Sequence, residues 1–360
     1  MGKIINTLLP VLRIDIDSDF PSKTLAVFGS LIIAILLTVI LTPISMKLAS
    51  KVGVVDHPDG DRHIHTKPTP LLGGVAIYTA FMITFMLSVI YRMFFTDDPQ
   101  PFLSIVNSRV QGILIGSTFI MIVGLIDDKY GMNAKLKLLL QIIAACILVL
   151  PCFGVRFTIV GETNLNDFLY FGSILTIIWV VVICNMINLM DGLDGLAAGV
   201  VAISAITFLV ISITMFGTLG MAIISAILAG VTIGFLFFNF NPAKTFMGDS
   251  GALFLGYIIA SISVLQNWKV ATVIALGLPI LILSVPVCDI TFAVIRRLLN
   301  GKHPFTADRG HIHHRLMDSG LSQRRTVFII YGLTLLGCVL AIIISNQIYL
   351  HKLNFSEWFC

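Results

Sequence analysis

Long apolar runs separated by short polar segments cover most of the 360-residue chain. A helix needs about 20 apolar residues to cross the hydrocarbon core of a bilayer. Ten runs approach or exceed that length, at residues 24–50, 71–95, 110–127, 134–153, 171–190, 195–216, 219–240, 248–265, 271–298 and 325–345. The pattern predicts an all-α, polytopic integral membrane protein with about ten transmembrane helices in a single domain, 1–360.

The ninth run, 271–298, is interrupted by Pro279 and Pro286 and carries the ionisable Asp289. Prolines are tolerated in membrane helices where neighbouring groups satisfy the carbonyls that they free. We therefore predict a broken or kinked ninth helix.

Composition supports the membrane interpretation. Apolar residues make up 57% of the chain and charged residues only 12%, whereas soluble domains carry about 25% charged residues. Mean hydropathy is +0.98. The sequence shows no appended soluble domain, and we expect the lipid bilayer rather than nucleic acid as a partner.

The distribution of positive charge predicts orientation. Fifteen of the 23 Lys and Arg residues fall in one alternating set of loops and helix ends, at 47–70, 128–137, 191–194, 241–247 and 296–325. Excess positive charge marks the cytoplasmic side, so both termini are expected outside. The polar clusters all fall in or beside this same set, which predicts one site on the cytoplasmic face.

The third apolar run ends in Asp127 and Asp128. Adjacent carboxylates repel each other unless a cation lies nearby. A divalent ion would serve, as would Lys129 or Lys135. A solvated helix end is the simpler alternative.

The segment NLMDGLDG (188–195) follows the fifth run. Asp191 and Asp194 share a face if the helix continues, and Gly192 and Gly195 allow close backbone approach to a ligand. Asn188 adds a neutral oxygen. The alternative is a tight turn in which the aspartates cap the next helix.

The segment FMGDSG (246–251) opens the eighth run. Asp249 could cap that helix, or it could bind a metal beside a helix N-terminus suited to phosphate. Phe246 could stack on a base.

The segment HIHHR (311–315) lies in the most basic loop. His313 and His314 could bind zinc together with a carboxylate. The neighbouring Arg309 and Arg315 instead favour an anion, which indicates phosphate recognition or acid–base chemistry. A solvated basic loop on anionic lipid is also open.

Oxygen ligands without thiolates select Mg²⁺ or Mn²⁺. Carboxylates with Lys, Arg and His nearby are the apparatus of phosphoryl transfer. The residues thus indicate a metal-dependent phosphoryl-group transferase acting on a lipid. The rival class is a proton-coupled transporter using Asp289, although Asp289 could instead pair with Arg296 or another cation.

Five motifs, in order, resemble those of the polyprenyl-phosphate N-acetylhexosamine-1-phosphate transferases. They are DHPDGDRHIHTKPTPLLGG, VGLIDD, NLMDGLDGLAAG, NFNPAKTFMGDSG and ADRGHIHHRL. The resemblance covers residues 50 to about 320 and extends to ten spans with outward termini. It departs from the commoner pattern at His63, where a basic residue often stands.

The resemblance implies transfer of a phospho-sugar from a UDP-sugar to undecaprenyl phosphate in the bacterial inner membrane, with release of UMP. It implies an all-helical fold with a cytoplasmic cleft, and Mg²⁺, or Mn²⁺ in its place, as the cofactor. A homodimer is compatible with it.

The resemblance also assigns residue roles. Asp249 would be the principal metal ligand, with Asp127 and Asn188 beside it. Either Asp127 or Asp128 would deprotonate the lipid phosphate. The catalytic residues would be Asp127, Asp128, Asp191, Asp194 and His313, and the substrate-binding residues Lys67, Lys135, Asn188, Asn239, Phe246, Arg309, His311 and His314.

Within the family, ADRGHIHHRL resembles the branch that uses UDP-N-acetylglucosamine (UDP-GlcNAc), which primes O-antigen, enterobacterial common antigen or teichoic acid synthesis. The peptidoglycan branch, which transfers phospho-MurNAc-pentapeptide, typically has adjacent histidines where Ile312 interrupts the run here. The resemblance therefore favours the UDP-GlcNAc branch and leaves the product polymer open.

Overall fold

The computed structural model describes residues 20–56, 68–95, 105–157, 165–214, 219–265, 272–299, 301 and 311–357. The predicted all-α architecture is confirmed. The helices are, in chain order, α1 (Phe20–Val52), α2 (Gly73–Phe95), α3 (Ser108–Tyr130), α4 (Ala134–Val149), α5 (Leu165–Met190), α6 (Leu196–Thr214), α7 (Leu219–Asn239), α8 (Gly248–Leu265), α9 (Thr272–Ile282), α10 (Ser284–Leu299), α11 (Ile312–Asp318) and α12 (Gln323–Glu357).

Eight helices within these described ranges are long and apolar enough to cross a membrane, namely α1, α2, α3, α5, α6, α7, α8 and α12. The helix α4 fills the fourth predicted run but has only 16 residues. The ninth run is divided between α9 and α10. A polytopic membrane protein is confirmed, and the count of ten spans stays a prediction.

The predicted break in the ninth run lies at Leu283, between α9 and α10. Pro286 has no N–H to donate to the carbonyl of Ile282 four residues earlier. That carbonyl accepts instead from Ser204 Oγ of α6 at 3.3 Å and Cys338 Sγ of α12 at 3.8 Å. The carbonyl that the break frees is therefore hydrogen-bonded by neighbouring helices, as backbone polar groups must be in a lipid environment.

The helix α8 lies at the centre of the bundle and contacts α2, α3, α5 and α6. Glycines allow this packing, because a Cβ at Gly74 would overlap the backbone nitrogen of Gly251 and one at Gly124 would overlap the Cα of Ser250. Small residues at such crossings let membrane helices approach closely. Every residue of α8 is buried except Asp249, in its first turn.

A short antiparallel pair of strands lies beside that first turn. Strand β1 (Val55–Asp56) pairs with β2 (Thr69–Pro70), with Val55 opposite Pro70. The carbonyl of Pro70 accepts from the backbone nitrogen of Phe246 at 2.9 Å. The segment that follows α1 is thereby fixed to the loop that enters α8.

Candidate active site

Carboxylates from two helices meet around one lysine. Asp127 lies in the last turn of α3 and Asp249 in the first turn of α8. Lys137 Nζ, from the first turn of α4, lies 2.9 Å from Asp127 Oδ2 and 2.9 Å from Asp249 Oδ2. Asn188, near the end of α5, donates its side-chain amide to Asp249 Oδ1. Four predicted spans thus contribute side chains to one cluster.

Lys137 was not among the residues that the sequence singled out, whereas Lys135 was. The Lys135 side chain is exposed, and its backbone nitrogen is capped by Asn133 at 3.0 Å. Lys137 lies on the opposite face, one turn before Gln141, which is buried and hydrogen-bonded to Asn185. A polar residue at i+4 inside an apolar run was the available signal, since it marks the inward face of α4.

Asp128 takes a different position from Asp127. Its Oδ1 accepts from the backbone nitrogen of Asp249 at 2.6 Å and its Oδ2 from that of Ser250 at 3.1 Å. A carboxylate that accepts the first free amides of a helix is an N-cap. The cap of α8 therefore comes from α3, which leaves the Asp249 carboxylate to face Lys137 and Asn188.

Gly248 makes this capping possible. Its φ of 68° lies in the left-handed region, which side-chain-bearing residues rarely adopt. A Cβ there would also lie 2.7 Å from both carboxylate oxygens of Asp128. The glycine of the MGDSG sequence is thus required by the contact between α3 and α8.

Asp191 lies in the turn between α5 and α6, and the residue as a whole is half-buried. Burial of its carboxyl group raises its pKa well above the ordinary value, and repulsion from Asp249, Asp128 and Asp194 adds to the rise. The repulsion from these three aspartates places Asp191 close to the carboxylates that meet around Lys137.

Two residues predicted at the site hold loops together. Asp194 Oδ2 accepts from Asn241 Nδ2 at 2.9 Å and from the Ala243 backbone nitrogen at 3.0 Å. Asn239 accepts from the Gly195 nitrogen and donates to the Thr245 carbonyl, each at 3.0 Å. Both side chains fasten the turn before α6 to the loop before α8.

Three further residues are predicted to bind substrate, and the structure describes one of them. Phe246 is half-buried, and its backbone carbonyl accepts from Gly73 at 3.0 Å, which places it beside the first turn of α8. Lys67 and Arg309 lie outside the described residues.

The imidazole cluster begins at Asp289, in the broken ninth run. His311 Nδ1 lies 3.0 Å from Asp289 Oδ2, and the Ile312 nitrogen donates to Asp289 Oδ1 at 2.8 Å. The rings of His311 and His313 are parallel with centroids 5.9 Å apart, and those of His313 and His314 are 4.3 Å apart. Asp289 therefore pairs with the histidine segment rather than standing isolated in the membrane.

His313 links this cluster to the aspartate turn. It is buried, and its Nε2 lies 3.4 Å from where a Cβ of Gly192 would stand. Burial lowers the pKa of His313 to about 4, with His314 contributing to the same direction. His313 is therefore a neutral imidazole at pH 7, and it offers hydrogen bonds rather than positive charge.

The residues present fit a divalent cation. Among the described residues, no three His, Cys, Asp or Glu side chains converge as a ready metal cage. Mg²⁺ often uses one or two carboxylates and completes its shell with water and substrate phosphates. Asp127 and Asp249 supply those carboxylates, and Asn188 adds an amide oxygen.

The chain is similar to known proteins over most of its length. Residues 110–267 match the family described as glycosyl transferase family 4. Over 90% of its length the chain is 38% identical to a Bacillus subtilis (strain 168) protein, "Probable undecaprenyl-phosphate N-acetylglucosaminyl 1-phosphate transferase", and covers 86% of it.

Two further relatives carry related names. The chain is 33% identical over 86% of its length to the Mycobacterium tuberculosis (strain ATCC 25618 / H37Rv) decaprenyl-phosphate N-acetylglucosaminephosphotransferase, covering 80% of it. It is 32% identical over 87% of its length to the phospho-N-acetylmuramoyl-pentapeptide-transferase of Halalkalibacterium halodurans, covering 95% of it. These relationships show that the chain belongs to the polyprenyl-phosphate N-acetylhexosamine-1-phosphate transferases of glycosyl transferase family 4 and is a sugar-1-phosphate transferase.

Proposed function

We propose that this enzyme transfers GlcNAc-1-phosphate from UDP-GlcNAc to undecaprenyl phosphate and releases UMP. The observation that carries the proposal is the meeting of Asp127, Lys137, Asn188 and Asp249 at the ends of four helices. These groups lie where α3 and α5 end and α4 and α8 begin. A site at such a boundary admits a water-soluble donor and a lipid acceptor together.

In this reaction a phosphate oxygen of the lipid attacks the phosphorus that carries the sugar. The bond from that phosphorus to the UMP oxygen breaks, and the product is a lipid-linked diphosphate sugar. The enzyme's task is to position two anions and reduce their repulsion.

Mg²⁺ is proposed as the cofactor, with Asp249 and Asp127 as its carboxylate ligands and Asn188 as a neutral one. When bound, the ion would neutralise charge on the diphosphate and polarise its oxygens. Lys137 holds Asp127 and Asp249 at a common point and places an ammonium where phosphate oxygens would arrive. Asp128 fixes the first turn of α8 and so sets the direction of the Asp249 carboxylate.

Asp127 is the better candidate to accept a proton from the lipid phosphate. Both carboxylate oxygens of Asp128 already accept backbone amides, whereas Asp127 Oδ2 faces a side chain of the site, the Lys137 ammonium at 2.9 Å. The two neighbours are therefore proposed to have separate roles.

The site is proposed to face the cytoplasm of a bacterium, at its plasma membrane. The positive loops support that orientation, because Lys137, Arg315 and Arg324 all lie at helix ends on the side of the carboxylate cluster. Both termini would then lie outside.

The second candidate is transfer of phospho-MurNAc-pentapeptide, which the Halalkalibacterium relative's name describes. Two features favour UDP-GlcNAc. The Bacillus relative is 38% identical, and Ile312 separates His311 from His313 and starts α11, so the histidines are not one continuous run.

The test uses the purified full-length protein in lipid nanodiscs with undecaprenyl phosphate. Labelled UDP-GlcNAc and labelled UDP-MurNAc-pentapeptide are supplied in parallel, and lipid-linked product and UMP are measured. We expect product from UDP-GlcNAc alone, its loss in EDTA, and recovery with Mg²⁺ or Mn²⁺. Product from the pentapeptide donor alone would replace the proposed substrate, and full activity in EDTA would exclude the metal.

A further inference from the structure

The proposed reaction assigns no role to Asp289. It lies in α10, one and a half turns past the break at Leu283, and its side chain is buried. Buried charges in a membrane protein are costly and are retained where they are paired. Here both carboxylate oxygens are used, one by His311 Nδ1 and one by the Ile312 nitrogen.

This arrangement determines which nitrogen of His311 carries a proton. An ionised carboxylate only accepts hydrogen bonds, so Nδ1 of His311 must be the protonated nitrogen that faces Asp289 Oδ2. When the ring is neutral, Nε2 then presents its lone pair. A carboxylate behind an imidazole fixes the tautomer and orientation of the ring in this way.

The second contact of Asp289 fixes the segment that carries the other histidines. His311 is the residue before α11 and makes no side-chain cap of its own. The Ile312 amide at the start of α11 is instead held by Asp289 Oδ1. From there the rings of His311 and His313 stand parallel, and His313 packs against Gly192, next to Asp191.

We propose that Asp289 is a positioning residue of the transferase reaction. It holds His311 in its Nδ1-protonated form and anchors the histidine segment 311–314 against the turn that contains Asp191 and Gly192. The inference rests on the proposed function. It links the broken ninth helix to the site, since the break lets α10 begin at Ser284 and bring Asp289 to the histidine segment.

The decisive variant is Asp289→Asn. The asparagine can still accept from Ile312 through its oxygen, so α11 stays anchored. Its NH₂ group, however, faces His311 Nδ1 as a donor and forces the ring into the other tautomer. Loss of a carboxylate behind a functional imidazole typically costs about 10–100-fold in activity. We expect kcat/KM for UDP-GlcNAc to fall by about that factor.

Two readouts separate positioning from a general structural role. First, Asp289→Asn should have no further effect in a His311→Ala background, because residues that act as a unit are non-additive. Second, nitrogen-15 NMR of histidine-labelled protein should show one ring change from Nδ1- to Nε2-protonated. The matched control is Asp318→Asn, at the exposed C-terminal end of α11. It should change neither the transferase activity nor the protonation of any histidine ring.

The inference is overturned if Asp289→Asn keeps activity within about threefold of wild type, or if the two substitutions multiply their effects. If Asp289→Asn does not fold, Asp289→Glu carries the test. That variant keeps a carboxylate and should retain the Nδ1-protonated signal with most of the activity, and full activity without the signal overturns the inference. If wild type uses neither donor, the proposed function fails, and the NMR comparison still decides whether Asp289 sets the tautomer.

Discussion

Lys137 Nζ lies 2.9 Å from Asp249 Oδ2, and this ion pair joins the first turn of α4 to the first turn of α8. Both residues stand at the start of a predicted span. Two oppositely charged groups at the membrane boundary stabilise each other's position and remain reachable by a charged ligand. The pair explains why the one residue of α8 that is not buried is an aspartate.

The first prediction concerns the charge of Asp249. Asp249→Asn preserves shape and can still accept from Asn188, but it removes the charge that Lys137 and a divalent cation require. We expect turnover to fall by about 10²–10³-fold, the scale of losing one preorganised electrostatic contact. Lipid-linked product is measured at saturating substrate, with Asp318→Asn as the exposed control. Activity within a few-fold of wild type would remove Asp249 from the metal site.

The second prediction compares two lysines of α4. Lys137→Met removes the ammonium between Asp127 and Asp249 and leaves both carboxylates unneutralised. We expect at least a 10²-fold loss of kcat/KM. Lys135→Met, on the exposed face of the same helix, should stay within about threefold of wild type. Equal losses in the two variants would mean that Lys135 contacts the substrate, as the family resemblance implies.

The carboxylates of the site could be predicted from the sequence more readily than its lysine. The meeting of Asp127, Asn188 and Asp249 was predictable, because consecutive spans alternate direction and their polar ends must share a side. Distance along the chain from the aspartates does not distinguish Lys135 from Lys137. The phase of α4 does, because only Lys137 lies on the face of the buried Gln141.

The sequence alone could not predict that Asp127 and Asp128 make different contacts. The cap of α8 is supplied by a residue 121 positions earlier, and capping patterns can be read only within a few residues of a helix start. The same holds for Asp289, whose partner His311 lies 22 positions later in the chain. The hydrogen bonds of Asp194 and Asn239 could not be predicted for the same reason, because their partners Asn241 and Gly195 lie 47 and 44 positions away.

The third prediction separates backbone strain from crowding at two glycines. Gly131 and Gly248 have nearly the same φ, 69° and 68°. A Cβ at Gly131 would meet nothing within 4 Å, whereas one at Gly248 would meet the Asp128 carboxylate at 2.7 Å. Gly131 has ψ of 135°, a backbone conformation that side-chain-bearing residues rarely adopt, so Gly131→Ala should lower the free energy of unfolding only by that backbone strain, on the order of 1–3 kcal/mol.

Gly248→Ala should lose that amount and also displace the cap of α8. We expect a larger drop in thermal unfolding temperature in detergent and a loss of transferase activity that Gly131→Ala does not show. If the two alanine variants were equally stable and equally active, the contact between Asp128 and α8 would not be needed for the site.

The last prediction concerns the pH dependence of stability through His313. Its pKa is lowered to about 4 in the folded protein, whereas an unfolded histidine titrates near 6.5. Between these values the unfolded chain binds more protons, so the folded state loses stability as pH falls. From pH 7 to pH 5 this loss should be on the order of 2 kcal/mol.

His313→Gln cannot titrate and should lose less stability than wild type over the same interval. The measurement is the difference in unfolding temperature between pH 7 and pH 5 for each protein, which cancels the contribution of the carboxylates common to both. An equal drop in the two proteins would mean that His313 is charged or solvated in the folded state, and the contact with Gly192 would then not be buried as the structure has it.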